Sequence, residues 1–220
     1  MTARFSDEFS SLITAANLTS VVGSASSVTA ASDQLVLLCS GTPVSGLLEA
    51  RDILRDPAGN PLSLADCEAI CRWDIGAAVT QMYPALMLRT SNDWLTGGLA
   101  YAPTNGYIFE IQPNDSSCDV YKFTGGSTGA VTGTHSAAKT YTGSVKVFEW
   151  ARVIGNTLFH KVWMDNTNEP TNWDVTPTDS SLTSGGVQLR NHTGISPKTA
   201  KLDFLIVRDM TWTERLGRRR

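Results

Sequence analysis

The stretch Val147-Phe148-Glu149-Trp150-Ala151-Arg152-Val153-Ile154-Gly155-Asn156-Thr157-Leu158-Phe159-His160-Lys161-Val162-Trp163 decides how this chain folds. Val147, Ala151 and Val153 alternate with Phe148, Trp150 and Arg152. Beyond Gly155-Asn156, Leu158, His160 and Val162 alternate with Phe159, Lys161 and Trp163. Successive strand side chains point to opposite faces, so period-two patterning on both sides predicts two half-buried strands. A Gly-X pair suits a two-residue hairpin turn, whose first position takes positive φ. The stretch therefore predicts a β-hairpin.

Outward from this hairpin the signals are of the same kind. Val187/Leu189 and Leu202/Phe204/Ile206 read as strands toward the C-terminus. Upstream, Gln34–Cys39, Ala85–Arg89 and Gly98–Tyr101 read as short strands, and Val120, Tyr121 and Phe123 as another. Tyr107, Phe109 and Ile111 share one face against Ile108, Glu110 and Gln112, with a tight turn expected at Pro103-Thr104-Asn105-Gly106. Asp56–Pro61 reads as a turn. Residues 63–67 read as a short helical turn before a strand at about 69–79, and Ser127–Lys139 as a mobile Gly/Thr/Ser/Ala loop. Turn signals recur, long helical periodicity is absent and strands are short and many. The expected class is all-β, an antiparallel two-sheet sandwich. Residues 1–33 are expected to form an arm and first edge strand, 34–209 the sandwich, and 210–220 a solvated basic tail.

The 220 residues suffice for one sizeable core, and 41% apolar with 18% charged residues marks a globular chain. A net charge of -3 gives no general attraction to nucleic acid or anionic membrane, and no apolar run approaches the length of a membrane span. Met1–Phe9 carries no apolar signal core, so the four cysteines are expected as reduced, buried thiols. Cys67 and Cys71 match no common zinc spacing.

The C-terminal third resembles the concanavalin A-like lectin/glucanase superfamily, in the branch that looks like laminin G domains. The resemblance runs from Arg152–Asn156 into Val162-Trp163, then through Glu169-Pro170-Thr171-Asn172-Trp173 and Gly185–Leu189 to Asp203-Phe204-Leu205-Ile206-Val207. Phe5-Ser6-Asp7-Glu8-Phe9 is similar to the opening edge strand of that group, and residues 10–67 align poorly. The resemblance implies a concanavalin A-like jelly roll. The Ser/Thr/Gly-rich loops and basic C-terminus are similar in texture to bacteriophage virion proteins.

Glucanases of this superfamily carry Glu-x-Asp-x-x-Glu on one strand, and no such triplet stands here. The nearest acidic clusters, Asp7/Glu8, Asp115/Asp119 and Asp165/Glu169, are read as terminal or loop residues. His135, His160 and His192 are scattered, and a satisfied strand histidine is the expected reading of His160. Sugar binding needs aromatic platforms beside polar groups. Trp150 and Trp163 are expected in the core, whereas Trp94 and Trp173, the latter beside Asn172, are expected next to loops as the glycan contacts. Asp165, Asn166 and Asn168 supply oxygen ligands of the kind calcium prefers, and no other cofactor is expected.

The expectation is a non-catalytic structural and adhesion protein of a phage particle, assembled in the host cytoplasm. Its partners would be other virion proteins in a symmetric array or homo-oligomer, and a cell-surface glycan, with neither nucleic acid nor membrane. A minor tail or tail-tip place leads. A capsid decoration protein, a diverged glycoside hydrolase and a free-standing lectin-like module are the alternatives.

Overall fold

The computed structural model describes residues 3–7, 20–22, 26–31, 34–40, 48–54, 60–76, 81–91, 104–142, 146–193 and 197–210. Two antiparallel sheets pack face to face, and no helix occurs among the described residues. A seven-stranded sheet runs in the order β13 (Thr157–Met164), β12 (Val147–Ile154), β6 (Cys67–Asp74), β15 (Lys198–Asp209), β4 (Gln34–Cys39), β3 (Ser27–Ala31), and β1 (Ala3–Asp7) also pairs with β15. An eight-stranded sheet runs β10 (Ser127–Gly129), β9 (Ser117–Thr124), β8 (Asn105–Gln112), β7 (Tyr83–Thr90), β14 (Gly186–Thr193), β5 (Leu48–Ile53), β2 (Ser20–Val22). β11 (Ser136–Ala138) is also on β9.

The decisive hairpin forms as expected. Ile154 pairs with Thr157 across the two-residue turn, and Gly155 adopts φ +57°. The ladder continues to Val147 opposite Met164, so Val147, Ala151, Val153, Leu158 and Val162 all enter the core. From the other sheet, Leu86, Leu88, Tyr107, Phe109, Ile111, Val120, Val187 and Leu189 meet them, around the fully buried Trp73. All four cysteines are buried, as small hydrophobes are, and none is in a disulfide.

Several local expectations are corrected. Residues 63–67 form no helical turn, because Leu64 bridges to Gly185 and Cys67 already opens β6, which ends at Asp74. Asn105-Gly106 is strand, since Thr124 and Phe123 of β9 pair with both residues. The expected mobile loop at Ser127–Lys139 contains β10 and β11, both added to β9. The N-terminal residues 1–33, expected as an arm with one edge strand, contain β2 and β3 besides β1. In β15 a bulge between Leu202 and Phe204 breaks the alternation, so Leu205 and Val207 turn inward while Phe204 and Ile206 face outward. Gly98–Tyr101 lies outside the described residues.

One buried arginine ties an end of the sandwich together. Arg89, at φ +53°, donates to the carbonyls of Ala65, Gly155 and Leu182 at 2.6–2.8 Å and pairs with Asp66 at 3.1 Å. Three separate turns are thereby anchored to β7.

Candidate functional site

Alternation that sends Tyr107, Phe109 and Ile111 into the core must send Ile108, Glu110 and Gln112 to the opposite face of β8. The same rule puts Ser117, Asp119, Tyr121 and Phe123 of β9 on that outer face, with Ala85 and Met87 of β7 and Gln188, Arg190 and His192 of β14. Strand register then lines up one row, since Asp119 pairs with Glu110, Glu110 with Ala85, and Ala85 with Arg190. Four strands of the eight-stranded sheet thus share a polar band. Beside it lie Ser117 opposite Gln112, and Tyr83 opposite His192.

Much of the band is hydrogen-bonded, and it is recessed. Glu110 is only 5% exposed, yet His192 Nε2 lies 2.8 Å and Arg190 3.6 Å from its Oε2, while Gln112 donates to its Oε1 at 2.7 Å. Burial alone would raise the Glu110 pKa, but His192, Arg190 and Gln112 outweigh it and hold the carboxyl below its ordinary range. The contact between Glu110 and Arg190 passes over β7 where Ala85 offers only a methyl group. Tyr121 donates to Asp119, and burial together with that carboxylate pushes the phenol pKa up. Tyr83 stacks on His192 at 4.8 Å, and Arg190 lies over Phe123 at 5.8 Å.

This network is incomplete. Among the described residues, Asp119 Oδ1, both side-chain polar atoms of Gln188, and His135 Nδ1 beside Tyr121 are buried without a partner. A buried polar atom left unpaired costs about 1–3 kcal/mol. Such atoms are rare in folded proteins and mark places where another group completes the bonding. Ala85, Met87, Ile108 and Phe123 form a small apolar cluster around them, with Tyr121 packed on it.

The residues singled out from sequence lie on the other sheet. Trp173 packs edge-on to Trp150 at 5.0 Å and against Phe159 at 5.3 Å. Arg152 and Lys161 lie over both indoles at 4.7–5.1 Å. Glu68 in turn holds Arg152, Arg208 and the indole N–H of Trp150. The cations cover ring surface on which a sugar would stack, so this cluster fastens the loop after β13 to the sheet. Asn172 beside it is exposed. Trp150 and Trp163 are not core residues: both are half-buried on this outer face, and Trp163 stacks on Phe148 at 5.0 Å. Asp165 is exposed and pairs with Arg72 at 3.4 Å, while Asn166 and Asn168 are exposed in the same turn. No group of three His, Cys, Asp or Glu suited to a metal occurs among the described residues. Trp94 lies outside them.

Asp119 was expected in a loop and is strand, on the polar band. Glu110, Gln188, Arg190 and His192 were not singled out at all. The signal for them was present, since central strands with polar side chains at successive outward positions imply a polar outer face.

A second polar island sits between the sheets. His160 Nε2 lies 3.0 Å from Glu149, whose other oxygen accepts from the Trp73 indole at 2.6 Å, and all three side chains are fully buried. His160 is thus a buried strand histidine paired through Nε2, while its Nδ1 has no hydrogen-bond partner among the described residues, and its ring meets Phe109 of the facing sheet edge-on.

No protein-family model and no curated protein matches this chain. Solved structures do match in shape. The carbohydrate-binding module CBM66 from Bacillus subtilis superposes with a TM-score of 0.56 at 14% identity, over 84% of this chain and 93% of that one. The Ca2+-bound exoplasmic/lumenal domain of VIP36 gives 0.59 at 14%, over 86% and 87%. The fold is the concanavalin A-like jelly roll. SCLam, a non-specific endo-β-1,3(4)-glucanase of family GH16, has the same architecture, at 0.55 and 11% identity over 94% and 90%. At these identities the likeness is one of fold.

Proposed function

We propose that this jelly roll binds glycan chains without cleaving them, across the outer face of its eight-stranded sheet. The observation that carries the reading is the incomplete polar band. Among the described residues it leaves one carboxylate oxygen of Asp119 and the amide of Gln188 unpaired just beneath the surface, flanked by the rings of Tyr83, Tyr121 and Phe123, so a ligand reaches them by opening this face. A saccharide supplies the matching groups, with hydroxyls that both donate and accept and C–H faces that rest on aromatic rings. Asp119 and Arg190 are three strand spacings apart, roughly 14 Å at about 4.8 Å each. A ligand that meets both ends is a chain lying across the strands.

Binding rather than hydrolysis is favoured by the state of the carboxyls. A glycosidase keeps one carboxyl protonated as general acid. Beside Arg190 and His192 the Glu110 carboxyl lies below its ordinary range, which is the wrong direction for a general acid, and Glu149, whose carboxyl burial pushes up, is sealed between the sheets. Two proteins that share the fold are named for or solved with carbohydrate, the CBM66 module and VIP36 in a Ca2+/Man-bound form. The laminin G-like branch, a phage particle as the setting, and oligomeric arrays rest on the sequence texture alone. The same holds for calcium at Asp165, Asn166 and Asn168.

Titration calorimetry against soluble tri- and tetrasaccharides tests the reading. Binding should weaken at least about tenfold, or about 1.4 kcal/mol, in Asp119→Asn and in Gln188→Leu. Unchanged affinity in both variants sinks the site. Release of reducing ends that Glu110→Gln abolishes would instead make the protein a hydrolase.

A further inference from the structure

The edge of the seven-stranded sheet carries a second pocket, which opens at β13 and meets the start of β9, where its Tyr141 hydroxyl donates to the Ser117 carbonyl at 2.6 Å. It encloses about 190 Å³ and is walled by Tyr141, Trp163, Met164 and Pro170, with Lys139, Thr140 and Thr167 supplying polar atoms. Its aromatic wall is rigid, since Trp163 stacks on Phe148 with 7° between the ring planes. Its charge is cancelled, since Lys139 Nζ is held at 2.7 Å by both Asp174 and the Val162 carbonyl. Thr140 and Thr167 are exposed, and Thr167 spends its proton on the Met164 carbonyl at 2.8 Å, which leaves its oxygen free to accept.

Three properties select the occupant. The volume falls below the roughly 300 Å³ at which pockets for drug-sized ligands begin, so one ring fits and a chain interior does not. Neutralised Lys139 favours an uncharged ligand. An indole wall opposite hydroxyls calls for a ring with one apolar face and polar edges. We infer that this pocket takes a single neutral sugar ring, at the end of a chain or branch, stacked on Trp163. The inference rests on the glycan-binding reading and adds a second site to it. The sheet face would hold the chain interior and the pocket its terminus.

Thr140→Trp tests this from an exposed position, filling the pocket mouth without touching the core. Titrations with glucose, galactose, mannose and N-acetylglucosamine, followed by calorimetry and by the Trp163 indole N–H resonance, read the pocket. A tetrasaccharide reads the sheet face. At least one monosaccharide should shift the Trp163 resonance, and its affinity should fall about tenfold or more in Thr140→Trp. Asp119→Asn/Gln188→Leu should leave that affinity intact while weakening the tetrasaccharide. Monosaccharide binding that ignores Thr140→Trp, or that leaves the Trp163 resonance unmoved, overturns the pocket. If Thr140→Trp acts as stated but the double variant still binds the tetrasaccharide fully, the pocket stands and the sheet-face reading falls. No binding of any of these saccharides overturns both.

Discussion

Gln188 carries the tension between stability and function in this molecule. It is fully buried on a central strand, and among the described residues neither its amide nitrogen nor its oxygen has a partner. For folding alone a leucine of similar size would serve better, because replacing an unsatisfied polar group by an apolar one is neutral to stabilising. Gln188→Leu should therefore raise the urea midpoint, by about 1 kcal/mol in unfolding free energy, while weakening oligosaccharide binding. Stability and affinity moving in opposite directions would mark a residue kept for its ligand. A fall in both would mean that Gln188 serves the fold. Sequence reasoning passed over this residue because it had no way to count hydrogen bonds. It picked Trp173 from the type of side chain and its place beside a loop, and it could not foresee that Arg152 and Lys161 would cover the ring. Pairing of that kind joins residues on β12, β13 and the following loop, and only folding brings them together.

At the level of elements, two glycines, one in the β12–β13 turn and one in the bridge to Leu64, are required for different physical reasons. Gly155 sits at φ +57° with open space where a Cβ would stand, so Gly155→Ala costs only backbone strain, about 1–2 kcal/mol. Gly185 faces the backbone of β7, where an added Cβ would lie 2.5 Å from the Arg89 carbonyl carbon and the Thr90 oxygen. Backbone cannot step aside, so Gly185→Ala should cost more, about 3 kcal/mol. Chemical denaturation of the two variants gives the order directly, and equal losses would refute the steric account. Ala85 makes the same point for the site, since Ala85→Leu would drive a side chain under the Glu110–Arg190 contact. It should weaken glycan binding and, because Ala85 is fully buried in the apolar cluster, also cost about 1–3 kcal/mol of stability, which calorimetry beside a thermal melt can read. The hairpin around Gly155 was legible because turn chemistry and period-two patterning are local. The bulge in β15 was not, since Lys198–Asp209 reads as one alternating run and its register is imposed by β4 and β6 on either side. β10 and β11 escaped for a related reason, being exposed three-residue strands without an apolar face.

Across the whole molecule, the two sheets enclose a proton that the unfolded chain would not keep. Burial works against a charged His160, but its contacts with Cys118 of the facing sheet and with Glu149 outweigh burial and push its pKa up to about 10, from an ordinary 6.5. The Glu149 carboxyl is raised as well, chiefly by burial. Between pH 6.5 and about 10 the folded protein therefore holds a proton at His160 that the unfolded protein has released. Stability that depends on this proton is complete below pH 6.5 and is lost as the pH climbs through that window. The thermal midpoint should fall steadily from pH 6.5 to 10, a dependence that exposed groups with ordinary values do not produce. The double variant Glu149→Gln/His160→Gln keeps two side chains able to hydrogen-bond each other and the Trp73 indole, but neither can titrate. Its midpoint should stay nearly flat from pH 6.5 to about 8, below the range in which the buried Cys67 and Cys71 thiols, raised by burial, add a fall of their own, when followed by circular dichroism. An unchanged slope in that variant would place the lost proton elsewhere and leave the buried pair as packing alone.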